Sequence, residues 1–510
     1  MSDQDRKPSP PNSVLLQGFE WNVPADQKHY KRLLSSIESL KSIGIDNIWL
    51  PPGCKASSPE GNGYDIYDLY DVGEFEQKGS TATKWGSKDD LLALSQKARE
   101  IGVGLYWDAV LNHKAGADNK EKCLAVEVDE NDRTKEVGEP YEIEAWLGFD
   151  FPGRGKKYSE LKWHWYHFSG TDWNAATEKK AVYKIVGENK RWSESVGKEN
   201  GNADYMMFAD IDYHHDEVIA DVKNWGVWIT KEVGLKGFRL DAVQHFSERF
   251  TADFVENIRK ECGSDIFFVG EYWTGNTQEL LDWLEVMQHK FSLFDAPLLY
   301  NFSNISTSEG GDLRKVFDNS LVAAEPYNAV TVVMNHDTQP GQTVATPIET
   351  FFKPLAYSLI LLRSQGYPSV FWGDLYGLLG RGKDAPKEEP IAKLPDILLA
   401  RSLYAYGEQN DYFEEPNCIG WVRRGTWDHP AGCAVVMSNA DIGERRMNVG
   451  DLHRGQIWTD VLGWSDREVQ IDDEGWGVFP CGGLSVSIFV RKDAEGRDRF
   501  PVQFDAKIFD

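Results

Sequence analysis

Between residues 14 and 404 the apolar positions fall into two alternating rhythms. Short, nearly continuous apolar runs occur at 14–21, 45–50, 103–111, 237–242, 266–273, 291–298, 329–335 and 368–373. Runs of that length, punctuated by Gly, Pro, Asn or Asp, predict buried strands. The intervening segments 29–41, 85–101, 216–233, 248–261, 278–288, 312–322, 351–363 and 390–404 space their apolar residues by three and four, as Leu33, Leu34, Ile37 and Leu40 do. That is the signature of one buried helical face. Strand and helix in strict alternation predict a parallel sheet, and eight such pairs predict a (β/α)8 TIM barrel. No Gly-x-Gly-x-x-Gly follows the first strand, which counts against a doubly wound sheet.

The rhythm breaks twice. From about residue 112 to 212 the chain is charged, aromatic and loop-rich, too long for a plain connection, so we read 112–215 as a domain inserted after strand 3. The barrel then comprises 1–111 and 216–406. Beyond residue 406 short runs at 432–438, 456–458 and 484–490 are separated by turn residues. They predict a C-terminal antiparallel β-sandwich over 407–510. The polar stretch that ends the chain is expected to be loosely attached.

Charge narrows the partners. A net charge of -26 on 510 residues opposes binding to nucleic acid or an anionic membrane surface, while a neutral substrate such as a sugar is compatible with it. No apolar run is long enough to span a bilayer. Residues 1–13 lack a basic segment followed by an apolar one, so no secretory signal is read and a cytoplasmic, monomeric protein is expected. The six cysteines are scattered without paired spacing and are expected to be reduced and mostly buried.

Chemistry in such barrels sits where the strands end. Strand 3 ends in Asp108-Ala-Val-Leu-Asn112-His113, strand 4 in Arg239-Leu-Asp241, strand 5 in Glu271-Tyr-Trp273, and strand 7 in Asn335-His336-Asp337. One acid at a strand end is commonly a helix cap; acids at three ends, each beside a His, Arg or Trp, are not explained that way. In extended backbone Arg239 and Asp241 share a face, so the guanidinium is expected to keep Asp241 ionised. Glu271 lies between Phe267-Phe-Val-Gly and Tyr272-Trp273, a setting that raises a carboxyl pKa. A nucleophilic carboxylate and a protonated carboxylic acid are what retaining glycoside hydrolysis requires.

With these motifs quoted, the chain resembles the α-amylase family of glycoside hydrolases over nearly its whole length. Gln-Gly-Phe-Glu-Trp at 17–21 and the stretches 151–155, 204–213, 335–341, 352–357 and 365–371 are similar to the liquefying bacterial members. The resemblance implies endo-acting hydrolysis of α-1,4-glucan with Asp241 as nucleophile, Glu271 as acid/base and Asp337 as transition-state stabiliser. It implies substrate contacts from Arg239, His113, His336 and Tyr64, with Trp21, Gln17, Trp273 and Gln244 also in the cleft. It further implies Ca2+ held by Asn112, Asp204, Asp210 and the backbone carbonyl of His245, which are hard oxygen donors.

The chain departs from that group where further cations are bound. Ser169, a basic or neutral residue near Arg191-Trp192, and His214 stand at the aligned positions, with only Asp212 kept, and Pro416-Asn417 and Asn439 occupy a third. One calcium is therefore expected. Transglycosylation through the same covalent intermediate and a non-catalytic glucan-binding role are the alternatives. A metal hydrolase built on His164, His167, His214 and His215 is set aside, because these residues lack ligand-like helical spacing and packing explains them.

Overall fold

A computed structural model of the chain describes residues 12–380 and 387–509. Eight parallel strands close into a barrel. They are β1 (Leu15–Gln17), β2 (Asn47–Trp49), β3 (Gly104–Ala109), β4 (Gly237–Leu240), β5 (Phe267–Gly270), β6 (Ser292–Phe294), β7 (Ala329–Val332) and β8 (Tyr367–Phe371). Seven lie inside the apolar runs of the sequence, each ending before its run does, and β8 begins one residue ahead of its run, at Tyr367. The helices His29–Ser42, Lys88–Ile101, Asp216–Val233 and Glu248–Cys262 lie where the three-and-four spacing puts them. Local chemistry sets their limits. Ser87 and Asp90 form a capping box at one start, and Gly102 and Gly234 close two ends in the left-handed conformation at φ 71°.

Two stretches differ from expectation. The run 291–298 is strand only to Phe294; Asp295 then caps the helix Ala296–Thr307, its carboxylate accepting from Leu298 N–H, with Pro297 in the first turn. The apolar run continues through both elements, so hydrophobicity alone does not mark that boundary, whereas Asp followed by Pro does. The segment 312–322 is not one helix. It is a 3-10 turn at Leu313–Lys315 and a short helix at Leu321–Ala324, interrupted where Asn319 takes φ 50°.

Between β3 and β4 the chain builds a six-stranded antiparallel sheet, with long strands Asn119–Val128 and Glu136–Gly148. The loop-rich reading missed these strands because much of their surface is charged and solvated. The C-terminal part forms a six-stranded antiparallel sheet and a two-stranded one. The end of the chain is not loose. Phe500, Val502, Phe504, Ile508 and Phe509 pack on the barrel core, Val502 N–H donates to Asp396, and Phe509 lies against Trp372 at 6.4 Å. Its polar residues alternate with these apolar ones, which is why composition read it as solvated. No helix of the described residues is long and apolar enough to cross a membrane, and residues 1–11 lie outside the described part.

Candidate active site

The parallel register places Arg239 of β4 level with Asp108 of β3, so both side chains enter the barrel mouth from one layer. Asp241 and Glu271 follow β4 and β5 by one residue, each pinned through its backbone: Asp241 N–H donates to Ala109 O at 3.1 Å, and Glu271 N–H to Leu240 O at 2.9 Å. Arg239 is wholly buried and serves three carboxylates. Its Nη1 donates to Asp108 at 2.8 Å and to Asp241 at 2.6 Å, and its Nη2 donates to Glu271 Oε2 at 2.6 Å. The expectation that Arg239 neighbours Asp241 holds, but the guanidinium is shared rather than dedicated. Ala242 N–H, from a residue with φ 48°, also donates to Glu271 Oε2.

Asp108 belongs to this cluster, although sequence reasoning did not single it out as a site residue. Its second oxygen accepts from Trp49 Nε1 and from Tyr64 OH, both at 2.9 Å. The available signal was an acid inside the apolar stretch Leu105-Tyr-Trp-Asp108-Ala, a costly placement unless it is paired. Burial raises the Asp108 carboxyl to about 7 against the pull of Arg239. Burial likewise raises Glu271, opposed by Arg239 and reinforced by the Asp241 charge. Asp337 is pushed up to about 8 by burial and by the charge of Glu271. With a single guanidinium among these acids, full ionisation is unfavourable and the cluster retains protons near neutrality.

The aromatic wall is equally ordered. His336, Tyr64 and Trp21 are parallel to one another within 6°, with centroids 5.0–6.0 Å apart. Gln17 donates its amide N–H to His336 Nδ1 at 3.0 Å, so the ring proton is on Nε2, 3.2 Å from Asp337 Oδ2. Burial, then the Arg239 charge, holds His336 well below the usual imidazole range, so the ring is neutral. His113 donates Nε2–H to Tyr64 O at 2.7 Å and thereby seats Tyr64. Trp21 and Tyr64 line a cavity of about 610 Å³ with Asn62, Lys84, Met207 and Phe208. Gln244 and Trp273 lie apart from the acids, lining a second cavity of about 580 Å³ with Tyr272 and Glu199. Tyr64 donates its hydroxyl to Asp108 and Tyr272 follows Glu271 in the chain, so each cavity is bordered by a neighbour of one of the acids.

Beside the cleft, Asn112, Asp204 and Asp210 are buried. Asn112 Oδ1 has no hydrogen-bond donor. Asp204 accepts from Ser193 N–H at 2.9 Å, yet burial still lifts it to about 7. Burial and the Asp204 charge lift Asp210 further. An orphaned carbonyl oxygen beside two mutually repelling carboxylates suits a hard divalent cation. His245 comes to the same place, its Nδ1 2.5 Å from Ala203 O. The neighbouring Asp212 is different. Lys190 buries its ammonium there, donating to Asp212 at 2.6 Å, Tyr166 O at 2.5 Å and Phe168 O at 3.0 Å. His214 takes the other Asp212 oxygen, and Ser169 hydroxyl donates to Asp210. Asn417 and Asn439 likewise turn amide N–H groups to Gly311 O.

Among the described residues His167, His215 and Glu217 also form a cluster of metal-binding residue types. His164 N–H donates to His167 Nδ1 at 2.9 Å, so the neutral ring carries its proton on Nε2 and presents it to Glu217 at 3.3 Å. Metal-ligating imidazoles need the reverse arrangement, with the far nitrogen donating. Hydrogen bonding accounts for His167 and ring packing on Tyr166 and His167 places His215, whose Nδ1 has no hydrogen-bond partner.

The profile described as alpha amylase, catalytic domain, matches residues 30–393. The chain is 46% identical to a glucan 1,4-alpha-maltohexaosidase of Bacillus sp. (strain 707) over 484 residues, covering 94% of this chain and 93% of the relative. It is 40% identical to a cytoplasmic alpha-amylase of Escherichia coli (strain K12), covering 94% of this chain and 99% of that one. Its fold is similar to the crystal structure of an alpha-amylase from Geobacillus thermoleovorans complexed with acarbose. The TM-score is 0.62 at 17% identity, over 94% of this chain and 98% of that one.

Proposed function

The chain belongs to the α-amylase family and is a glycoside hydrolase, and on that premise we propose that it cleaves internal α-1,4-glucosidic bonds of starch- or glycogen-type glucans with retention of configuration. The observation that carries this reading is the Arg239 fork, which contacts Asp241 and Glu271 at 2.6 Å each. One guanidinium thus gathers two carboxyls side by side, the arrangement of a retaining pair, which works at a separation of about 5–5.5 Å.

Asp241 attacks the anomeric carbon and forms the glycosyl-enzyme. Glu271 is the acid that protonates the departing oxygen and the base that then activates water. Its Oε2 accepts from Arg239 and Ala242, which leaves Oε1 to carry the proton. Asp337 and the neutral His336 bind sugar hydroxyls as positive charge develops on the ring. Trp21 and Tyr64 offer flat faces to one arm of the bound glucan, and Gln244 and Trp273 line the other.

Asn112, Asp204, Asp210 and the His245 carbonyl would hold one Ca2+, whose charge neutralises the buried aspartates and ties the insertion to the loop after β4. The division into barrel (1–111 and 216–406), insertion (112–215) and C-terminal β domain (407–510) follows the same reading. So do a monomeric state and a cytoplasmic location, the latter by analogy with the Escherichia coli relative.

The test is product analysis on a linear maltooligosaccharide with wild type and Glu271→Gln, with and without a chelator. Wild type should yield shorter products with the anomeric configuration retained. Glu271→Gln should lose transition-state stabilisation on the order of 4–8 kcal/mol. Products longer than the substrate would move the reading to transglycosylation, and glucan binding without turnover would end the catalytic one.

A further inference from the structure

Away from the catalytic face, two cysteines meet between the C-terminal sheets. Cys418 opens the strand Cys418–Arg423 of the six-stranded sheet, and Cys481 closes the strand Trp476–Cys481 of the two-stranded sheet. Gly443 lies between them. It is the ladder partner of Cys481, and a Cβ built on it would stand 2.6 Å from Cys418 Sγ. Directly paired residues of an antiparallel ladder project to one face with Cβ atoms about 4.5–5.5 Å apart. A side chain at 443 would therefore fill the space through which the Cys418 thiol reaches Cys481.

The two thiols are unequal. Cys418 is half-buried, whereas Cys481 is 2% exposed. The Cys481 thiol, donating to the Cys418 sulfur, brings Cys418 down to about 7 with help from the Arg445 charge and against burial. The same contact, together with burial, holds Cys481 far above the usual thiol range. Arg445 is fixed in place, its Nε donating to Cys418 O at 2.7 Å and its Nη2 at 2.5 Å. A half-buried thiol of lowered pKa, its Sγ also 3.9 Å from Glu444 O, beside a buried thiol of raised pKa is the arrangement of an attacking and a resolving cysteine.

We propose that Cys418 and Cys481 form a thiol-modification site that reacts with low-molecular-weight disulfides and closes to an intramolecular disulfide. The Cys418 thiolate bonds to one sulfur of the small disulfide, the S–S bond breaks, and one small thiolate leaves. Cys481 then gives up its proton to solvent and attacks the Cys418 sulfur, expelling the second small thiolate. The two protein sulfurs are oxidised, the small disulfide is reduced to two thiols, and the protons released are taken up by the departing thiolates. The cross-link joins the two sheets beside the barrel contact, where Pro416 O accepts from Leu313 N–H at 2.7 Å.

The experiment treats the folded, reduced, full-length protein with oxidised glutathione, followed by intact mass, thiol titration and peptide mapping. Wild type should lose two thiols, become two hydrogens lighter and yield a linked peptide joining Cys418 to Cys481. Its thermal midpoint should rise by about 5 °C, reversed by dithiothreitol. Cys481→Ser should stop at one stable glutathione adduct on Cys418. No thiol loss in native wild type, or a stable adduct on wild type that never closes, would overturn the proposal, and neither result depends on a variant that has to fold.

Discussion

At the scale of the residue, the site is a problem of one cation among several acids. Arg239 reaches Asp108, Asp241 and Glu271, and Asp337 adds a further acid held high by burial and by Glu271. Glu271 must be protonated to act as the acid, and its pKa is raised by burial. Activity is therefore retained as pH rises through the ordinary carboxylate range and is lost only when the pH passes the raised value. The kcat/KM profile on a short maltooligosaccharide should place its alkaline limb above the unperturbed Glu value of about 4.3. A profile whose alkaline limb falls at or below that value would contradict this assignment. Arg239 and its acids were legible in the sequence, because charges inside an apolar strand demand a reason. Asp108 was the residue not singled out, since its partners Trp49 and Tyr64 come from other strands and loops and only the barrel closure brings them together.

At the scale of the element, periodicity located every barrel strand and most helices, because two-sided burial leaves a strong apolar signature. It failed where the physics is local or solvated. The helix Ala296–Thr307 was hidden by an apolar run continuous with β6, and the strands of the insertion by their charged outer faces. Fewer cations are expected here from the sequence; in the fold Lys190 supplies an ammonium to Asp212, with both side chains under 7% exposed. Removing one member of a buried pair leaves the other uncompensated. Lys190→Met should destabilise the protein by about 3 kcal/mol, read as a lower denaturation midpoint in urea. Metal analysis should find one calcium per wild-type chain. Three tightly bound cations would refute that expectation, and an unchanged midpoint in the variant would show that Asp212 does not need the ammonium.

At the scale of the whole molecule, the chain end returns to the barrel it left. After the C-terminal sheets, Phe500 stacks on Tyr404 and Val502 N–H donates to Asp396, both in the helix Leu394–Tyr404, and Phe504 and Phe509 then reach the short helix Trp372–Tyr376 after β8. Phe504 meets Tyr376 at 5.3 Å, and Arg32 of the first helix lies over Phe509 at 5.2 Å. Trp372, against which Phe509 packs, also touches His29, whose Nε2 donates to Gly18 O three residues before Trp21. The strap thus backs the strand that carries the aromatic wall without entering the cleft. A chain ending at residue 499 would expose the Trp372 and Tyr376 faces and lose the packing of several half-buried apolar side chains, each worth less than the roughly 1.5–3 kcal/mol of full burial. The truncated protein should melt at least 5 °C below wild type, while KM for a maltooligosaccharide at low temperature stays within twofold. A truncation that left the melting temperature unchanged would show the strap to be an ornament of the fold. A large rise in KM without loss of stability would instead make it part of the wall that positions Trp21, through the contacts of Phe509 with Trp372, Trp372 with His29 and His29 with Gly18 O.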